Sequence, residues 1–400
     1  MSENSSVPSD RRVWQEACAL RTVGYKVTVV CPQGRHADFL PYERIEDIDL
    51  HRFALRPADG GVGYLREYST AFARISRLVS RLGRHARFDV VHACNPPDLL
   101  FVAALPLRRK GAAFIFDHHD LVPELYLSRF GRRDPLYATA LLCERLTFAL
   151  ADVVLCTNES YRQVAFDRGH KAPSDVFVVR NAPDLTKFTR VEPDPDLKAE
   201  RPFLLAYVGL ISEQDGVGQA LHALSSLRRR RTDWRAVFVG DGDALSDVRD
   251  LADKLELGNM IEFLGWRGDH DVIRVLSTAD VCLSPEPSSP INDVSTLIKV
   301  GEYMAMSCPI VACDLPESRF TAGEAAVFVP SNDSEAFAAR IDELLDDPQR
   351  RAAMGEFGRR RMEHELSWKL SERALFAAYD RALEKRSSGC EHRPTRIQAI

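Results

Sequence analysis

The chain has 400 residues, too many for one ordinary core, so two domains are expected. With 45% hydrophobic and 28% charged residues it is composed like a soluble globular protein, and its formal net charge of −5 argues against a nucleic-acid binder. Nine cysteines, odd in number and without a CxxC pair, argue against a disulfide framework. Those in apolar stretches (Cys31, Cys156, Cys282 and Cys313) read as small buried thiols of a reducing compartment.

"MSENSSVPSD" (1–10) has no apolar core, so no signal peptide is read there. The nearest approach to a membrane span, 137–156, is interrupted by Glu144 and Arg145. A cytoplasmic location is expected, at most peripheral on the inner face of the plasma membrane. "RRVWQEACALRTVGYKVTVVCP" (11–32) reads as helix, then strand. The chain thus enters a Rossmann-like unit at its second strand, and residues 1–9 are too polar to be the first. A gap or rearranged edge is expected where that central strand belongs.

Short β-branched runs then alternate with helical patterns. In the first half the strand candidates are 26–32, 49–55, 89–94, 112–117, 152–157 and 176–181. Between Arg66 and Arg133 there are twelve Lys/Arg against six Asp/Glu. Within that region 64–87 sets Leu65, Phe72, Ile75, Leu78, Val79 and Leu82 at helical spacing among arginines. Such a basic amphipathic helix can pack on a core or lie on an anionic membrane surface. "RVEPDPDLKAERP" (190–202) reads as a linker. Beyond it the strand candidates are 203–209, 235–240, 260–265, 280–285, 309–314 and 325–330. Continuous apolar strands separated by helices mean parallel sheets covered on both faces. The expected architecture is α/β, two Rossmann-like doubly wound domains facing a cleft. The expected division is 1–190, 191–367, a C-terminal helix 368–387 packing back on the first domain, and a disordered tail 388–400.

Few motifs carry chemistry by themselves. "VGDGDA" (239–244) lacks the third glycine of a dinucleotide fingerprint. "HHD" (118–120) has no supporting ligand cluster, so no metal site is expected. "DVSTLIKVGEYMA" (293–305) says more. Ser295 and Thr296 open a helix at a sheet edge, where free N–H groups form a seat for a diphosphate. Lys299 can add a full charge, Gly301 can admit a close approach, and Glu302 can accept bonds from a ribose. The competing reading makes Lys299 and Glu302 an exposed helical ion pair.

Taken together, "DRRVWQEACAL…GYKVTVVCP", "FDVVHACNPPDLL", "FDHHDLVPE", "RNAPDLTKF", "YVGLISEQDGV" and "STLIKVGEYMA" resemble glycosyltransferase family 4 over nearly the whole chain. That family is retaining, has the GT-B fold and uses nucleotide sugars. The last stretch is closest to a subgroup building bacterial surface polysaccharide and O-antigen repeats with amino-sugar donors. The sequence departs from the family in three places. Val294, with Asp293 beside it, stands where the first of two acidic residues is usual. Leu210 and Asp215 stand where a basic pair is usual, and the first strand is absent.

The resemblance implies sugar transfer from a UDP-linked co-substrate to a saccharide or lipid-linked acceptor, with retention and without a metal or other cofactor. It places Glu302 at the ribose, Lys299 with the 295–296 amides at the diphosphate, and Asp293 or Glu286 at the sugar. Gly209, Asp215 and Gly216 belong to the same donor site. Asn95, Asp98, His119 and Glu124 fall to the acceptor, and His119, Asp120 and Lys299 to catalysis. Two alternatives stand: a catalytically impaired paralogue serving as a binding partner, and a GT-B sugar-nucleotide epimerase.

Overall fold

A computed structural model describes residues 1, 6–34, 38–55, 60–387 and 398–399, with the side chains of 60–68 and 398–399 left out. The chain divides into two compact units. The first joins Met1–Arg180 to Lys369–Ile400, and the second is Asn181–Trp368.

The first unit begins with α1 (Arg11–Thr22), capped by the Asp10 carboxylate, which accepts from the Val13 amide at 3.2 Å. β1 (Lys26–Pro32) follows, then the hairpin β2 (Tyr42–Ile45) and β3 (Ile48–Phe53). After α2 (Gly60–His85) come β4 (Val90–Cys94), α3 (Leu100–Arg108), β5 (Ala113–His118) and α4 (Val122–Phe130). α5 (Pro135–Leu150) opens on an Asp134 cap with proline in its first turn. β6 (Val153–Cys156), α6 (Glu159–Asp167) and β7 (Val176–Val178) complete the contiguous part.

In the second unit strands and helices alternate until the last two helices, which follow one another directly. They run β8 (Phe203–Val208), α7 (Val217–Arg228), β9 (Trp234–Val239), α8 (Leu245–Lys254), β10 (Ile261–Gly265), α9 (Asp269–Thr278) and β11 (Val281–Ser284). Then follow α10 (Ile298–Ala305), β12 (Ile310–Cys313), α11 (Pro316–Ala322), β13 (Ala326–Val329), α12 (Ser334–Asp346) and α13 (Pro348–His364). α14 (Trp368–Ser387) and the short β14 (Gln398–Ala399) return to the first unit.

The second sheet has the order β10-β9-β8-β11-β12-β13, all parallel. Leu204 and Ala206 enter one core while Leu205 and Tyr207 enter the other, so the sheet is buried on both faces. Its strand order reverses between β8 and β11, the place where open α/β sheets bind ligands.

The first sheet has the order β2-β3-β1-β14-β4-β5-β6-β7. β2 is antiparallel to β3, so this sheet is mixed. The position where a gap or rearranged edge is expected holds the two residues of β14, with Gln398 and Ala399 opposite Lys26 and Val27, and Ala399 also opposite Val90. That corrects the reading of 388–400 as disordered at those two residues; 388–397 and 400 lie outside the described set. Met1 pairs with the other end of β4, its amine donating to the His92 carbonyl at 2.7 Å and its carbonyl accepting from the Cys94 amide at 2.9 Å. The described part of 1–9 forms no strand.

The units divide at Arg180, not 190, and the expected linker is part of the second unit. Its polar groups dock on α9: the Val191 and Asp194 amides donate to the Ser277 and Thr278 hydroxyls at 3.0 and 2.9 Å. α14 packs on the first unit as expected. Its Tyr379 hydroxyl lies 3.0 Å from His92 Nδ1, and Lys385 and Arg386 pair with Asp175 and Asp152. No helix among the described residues is long and apolar enough to cross a membrane.

Candidate functional site

In the second unit the chemistry gathers where the strand order reverses. β8 delivers Tyr207 and Gly209, β11 delivers Ser284 and Glu286, and α10 delivers Lys299 and Glu302. Lys299 is only 8% exposed and Glu302 5%, which overturns the exposed ion-pair reading. The Lys299 amine pairs with the Glu286 carboxylate, meets the Tyr207 hydroxyl at 2.8 Å and lies 3.6 Å from Asp215. It also sits 4.3 Å from the centre of the Tyr207 ring. Burial works against its charge, but Glu286, Tyr207 and Asp215 outweigh it and hold the amine well above its ordinary value. Lys299 is a permanent buried cation.

The carboxylates around it are placed by their own partners. Glu286 accepts from the Ser284 hydroxyl at 2.6 Å, and Asp215 from the Ser212 hydroxyl at 2.5 Å. Burial raises the Asp215 carboxyl above its ordinary value, with Lys299 opposing. Gly209 has φ +154°, and a Cβ there would stand 2.7 Å from Lys299 Cε and 2.8 Å from its amine. Only glycine leaves the lysine its place. Gly216 has φ +68°, and a Cβ would meet the Pro285 carbonyl at 2.2 Å, so this turn lies hard against the segment that carries Glu286.

The segment before α10 is not the opening of the helix. α10 starts at Ile298 after an extended Leu297, and Ser295 and Thr296 belong to the preceding loop. The Ser295 amide donates to the Asn292 carbonyl at 3.4 Å. Asn292, which the sequence reading missed, ties that loop down, its side-chain amide reaching the Gln214 and Pro287 carbonyls at 3.0 and 2.9 Å. Asp293 Oδ2 accepts from Ser288 at 3.0 Å, while its buried Oδ1 has no hydrogen-bond partner among the described residues. Gly301 admits nothing unusual: a Cβ would meet Pro183 and Met362 at the ordinary 3.4 and 3.7 Å. What fixes α10 is Tyr303, whose hydroxyl accepts from the Val208 amide at 2.8 Å and donates to the Leu283 carbonyl at 3.2 Å.

The first unit holds a second buried cluster, at the carboxyl ends of β4 and β5. Its centre is Arg12, another residue the sequence reading passed over. The guanidinium meets Asp117 at 2.7 and 3.2 Å, His119 Nε2 at 2.7 Å, Glu16 at 3.2 Å and the Val179 carbonyl at 2.5 Å. Burial alone would raise Asp117, but Arg12 and His119 hold it well below its ordinary value. Burial, then Asp117, push Glu16 well above its own. Asp117 is therefore the main counter-charge to Arg12. His92, Cys94 and Asp117, and likewise Glu16, Asp117 and His119, bring ligand-type atoms within 4.8 Å of one another. The positive charge beside them is the Arg12 guanidinium. A cavity of about 30 Å³, room for roughly one water, adjoins them and is lined by Met1, Val13, Glu16, His92 and Tyr379 among others.

Asn95 holds the 119–120 loop with three hydrogen bonds and Asp98 with a fourth. Its oxygen accepts from the His119 and Asp120 amides at 2.6 and 3.2 Å, and its nitrogen donates to the Asp98 carboxylate and Asp120 carbonyl at 2.9 and 2.6 Å. Asp98 is buried and its carboxyl is pushed up to about 7, burial being the main cause. Burial also raises Asp120. Glu124 is gripped bidentately by Arg168 at 2.6 and 3.1 Å. Of the residues read as acceptor-binding, Asn95, Asp98 and Glu124 thus bond to the protein itself, and the His119 ring turns toward Asp117 at 2.5 Å.

Each unit is thus a Rossmann-like sheet with buried charge at the carboxyl edge of its central strands, the build of GT-B proteins. Two family models match: the glycosyl transferase 4-like domain over residues 9–182, and glycosyl transferases group 1 over residues 189–361. On these two matches, which together take in most of the chain, the protein belongs to the GT-B glycosyltransferases.

The sucrose-phosphate synthase of Thermosynechococcus elongatus superposes with TM-score 0.79 at 20% identity, over 96% of this chain and 95% of that one. HepE of Anabaena, solved with UDP-glucose, superposes with TM-score 0.71 at 16% identity, over 95% and 98%. In sequence, a phosphatidyl-myo-inositol mannosyltransferase of Mycolicibacterium smegmatis is 25% identical over 92% of this chain and 88% of its own. With other curated relatives the match spans about half their length, 42% and 50% in two of them.

Proposed function

We propose that the protein transfers a hexose or N-acetylhexosamine from a UDP-sugar to a saccharide or lipid-linked saccharide, with retention and without a metal ion, in cell-surface polysaccharide or glycolipid synthesis. The observation that carries the reading is Lys299, a permanent cation held where the strand order of the second sheet reverses. Charge grows on the diphosphate as the glycosidic bond breaks, and a preorganised cation stabilises that growth more than it stabilises the bound donor. Glu302, one turn deeper in α10, accepts from the ribose hydroxyls. The orphaned Asp293 oxygen and Glu286 serve the sugar hydroxyls. In the first unit, the 119–120 loop held by Asn95 takes the acceptor, with His119 and Asp120 at the reacting hydroxyl. The complex of HepE with UDP-glucose supports the choice of nucleotide, and the phosphatidylinositol mannosyltransferase supports a lipid-borne acceptor.

Calorimetric titration of UDP, followed by assay of UDP release with and without lipid-linked saccharides, tests the reading. Acceptor-dependent release that persists in chelator supports it. UDP binding without turnover would make the chain a non-catalytic partner, and interconversion of the UDP-sugar without acceptor would make it an epimerase.

A further inference from the structure

α5 is buried on one side only. Glu144, Thr147 and Phe148 face inward, whereas Leu136, Leu142 and Leu146 are 64%, 56% and 42% exposed. Leu142, Arg145, Leu146 and Ala149 fall on one side of the helix by their spacing, and all four are exposed. At its start the patch continues into the end of α4, where Phe130 is 51% exposed. The Phe130, Tyr126 and Tyr137 rings follow one another with centroids 4.7 and 6.4 Å apart. Exposed Arg129, Arg132 and Arg133 surround this aromatic end.

The neighbouring carboxylates are engaged. Glu124 and Glu144 bind Arg168, and Asp134 takes the Tyr126 hydroxyl, two helix amides and Arg132. The surface is therefore apolar at its centre and positive at its rim. A second copy of the same face would set arginines against arginines across a two-fold axis. An anionic bilayer satisfies both parts at once, taking the leucines and Phe130 among its acyl chains and the arginines at its headgroups.

We infer that the face built by the end of α4 and the outer side of α5 is a membrane-docking surface for anionic lipid. α2 offers less for such a surface: of its apolar positions Ile75 and Val79 are fully buried, and Phe72, Leu78 and Leu82 are half-buried. The inference rests on the sugar-transfer reading only for its purpose, a lipid-borne acceptor.

Flotation with phosphatidylcholine vesicles, with and without phosphatidylglycerol, tests it. The wild type should float with the anionic vesicles alone, and less so as salt rises. Leu142→Glu/Leu146→Glu should abolish flotation. Arg132→Gln/Arg133→Gln should weaken it by about five-fold for each arginine lost. Arg77→Glu/Arg81→Glu on the outer side of α2 should retain it. Melting curves confirm that each variant folds, and UDP titration of the same variants, expected to be unchanged, separates this inference from the donor site. Flotation that ignores lipid charge, survives the leucine pair or is lost in the α2 pair would overturn it. So would a dimer that the leucine pair dissolves, since the face would then belong to a second copy.

Discussion

Two buried cations stand at the carboxyl edges of the two sheets, and they are held in opposite ways. Arg12 spreads its planar fork over Asp117, His119, Glu16 and the Val179 carbonyl, so every direction it offers ends on the protein. Lys299 presents one compact charge on a flexible stem, set between Glu286 and Tyr207 beside a glycine that keeps its path clear. A guanidinium used in this manner braces α1 against β5 and the residue after β7. An ammonium used in this manner keeps one compact charge at the place where the strand order reverses. Under the proposed function, the difference separates a residue that holds the fold from one that serves a ligand.

The largest effect expected from that contrast is on stability. Arg12→Met takes the guanidinium from buried Asp117 and leaves it only the His119 and His92 rings, which should cost roughly 3–5 kcal/mol in denaturant unfolding. UDP affinity of the folded fraction should stay unchanged; a stable Arg12→Met protein that no longer binds UDP would reverse the two roles.

Next in size are the ligand effects in α10. Glu302→Ala removes charge-assisted bonds to the ribose worth about 1.5–3 kcal/mol, or roughly ten- to 150-fold in UDP affinity by calorimetry. Lys299→Ala should depress kcat together with kcat/KM, because its charge counts most as the bond breaks. Wild-type affinity in a folded Glu302→Ala variant would show that α10 is not the donor site. Gly209→Ala tests whether the lysine needs its open path. The new methyl displaces Lys299 at a cost of roughly 1–3 kcal/mol, read as weaker UDP binding.

The remaining effects are in pH. The Asp98 carboxyl titrates at about 7 in the folded protein against an ordinary 3.8. Between those values the native state keeps a proton that the unfolded chain has lost, so stability should fall as pH rises from about 4 to 7 and then level off. Asp98→Asn should flatten that slope, and a melting temperature with the same pH profile in both proteins would refute it. In the second unit the sign concerns the ligand. Raised Asp215 becomes neutral as pH falls, relieving repulsion of the diphosphate, so UDP should bind more tightly in acid and Asp215→Asn should lose that dependence.

Twelve strands could be read from short apolar β-branched runs, most plainly the central ones, such as β4, β5, β8 and β11, whose residues are buried almost throughout. β2 could not, since "YERI" carries two adjacent charges and is exposed or half-buried throughout on an antiparallel edge. The linker was misread for a related reason. Prolines and charges at 190–202 look like a flexible hinge until the Ser277 and Thr278 hydroxyls are known to lie beneath them. Lys299, Glu302 and Gly209 could be picked from local motifs. Arg12 could not be, because its meaning lies in Asp117 and Val179, far along the chain. Ser295 and Thr296 look like a helix cap by residue type, yet the turn that Asn292 ties down moves the helix start to Ile298.

The division of the chain into units has a consequence for its synthesis. The second unit is one uninterrupted stretch, whereas the first needs α14 and β14, which are translated after it. On the ribosome the later-encoded unit therefore has all its residues first. β1 and β4 must wait with the central ladder between them unclosed, and the first unit's nascent sheet offers exposed strand edges to chaperones for the time needed to translate the second.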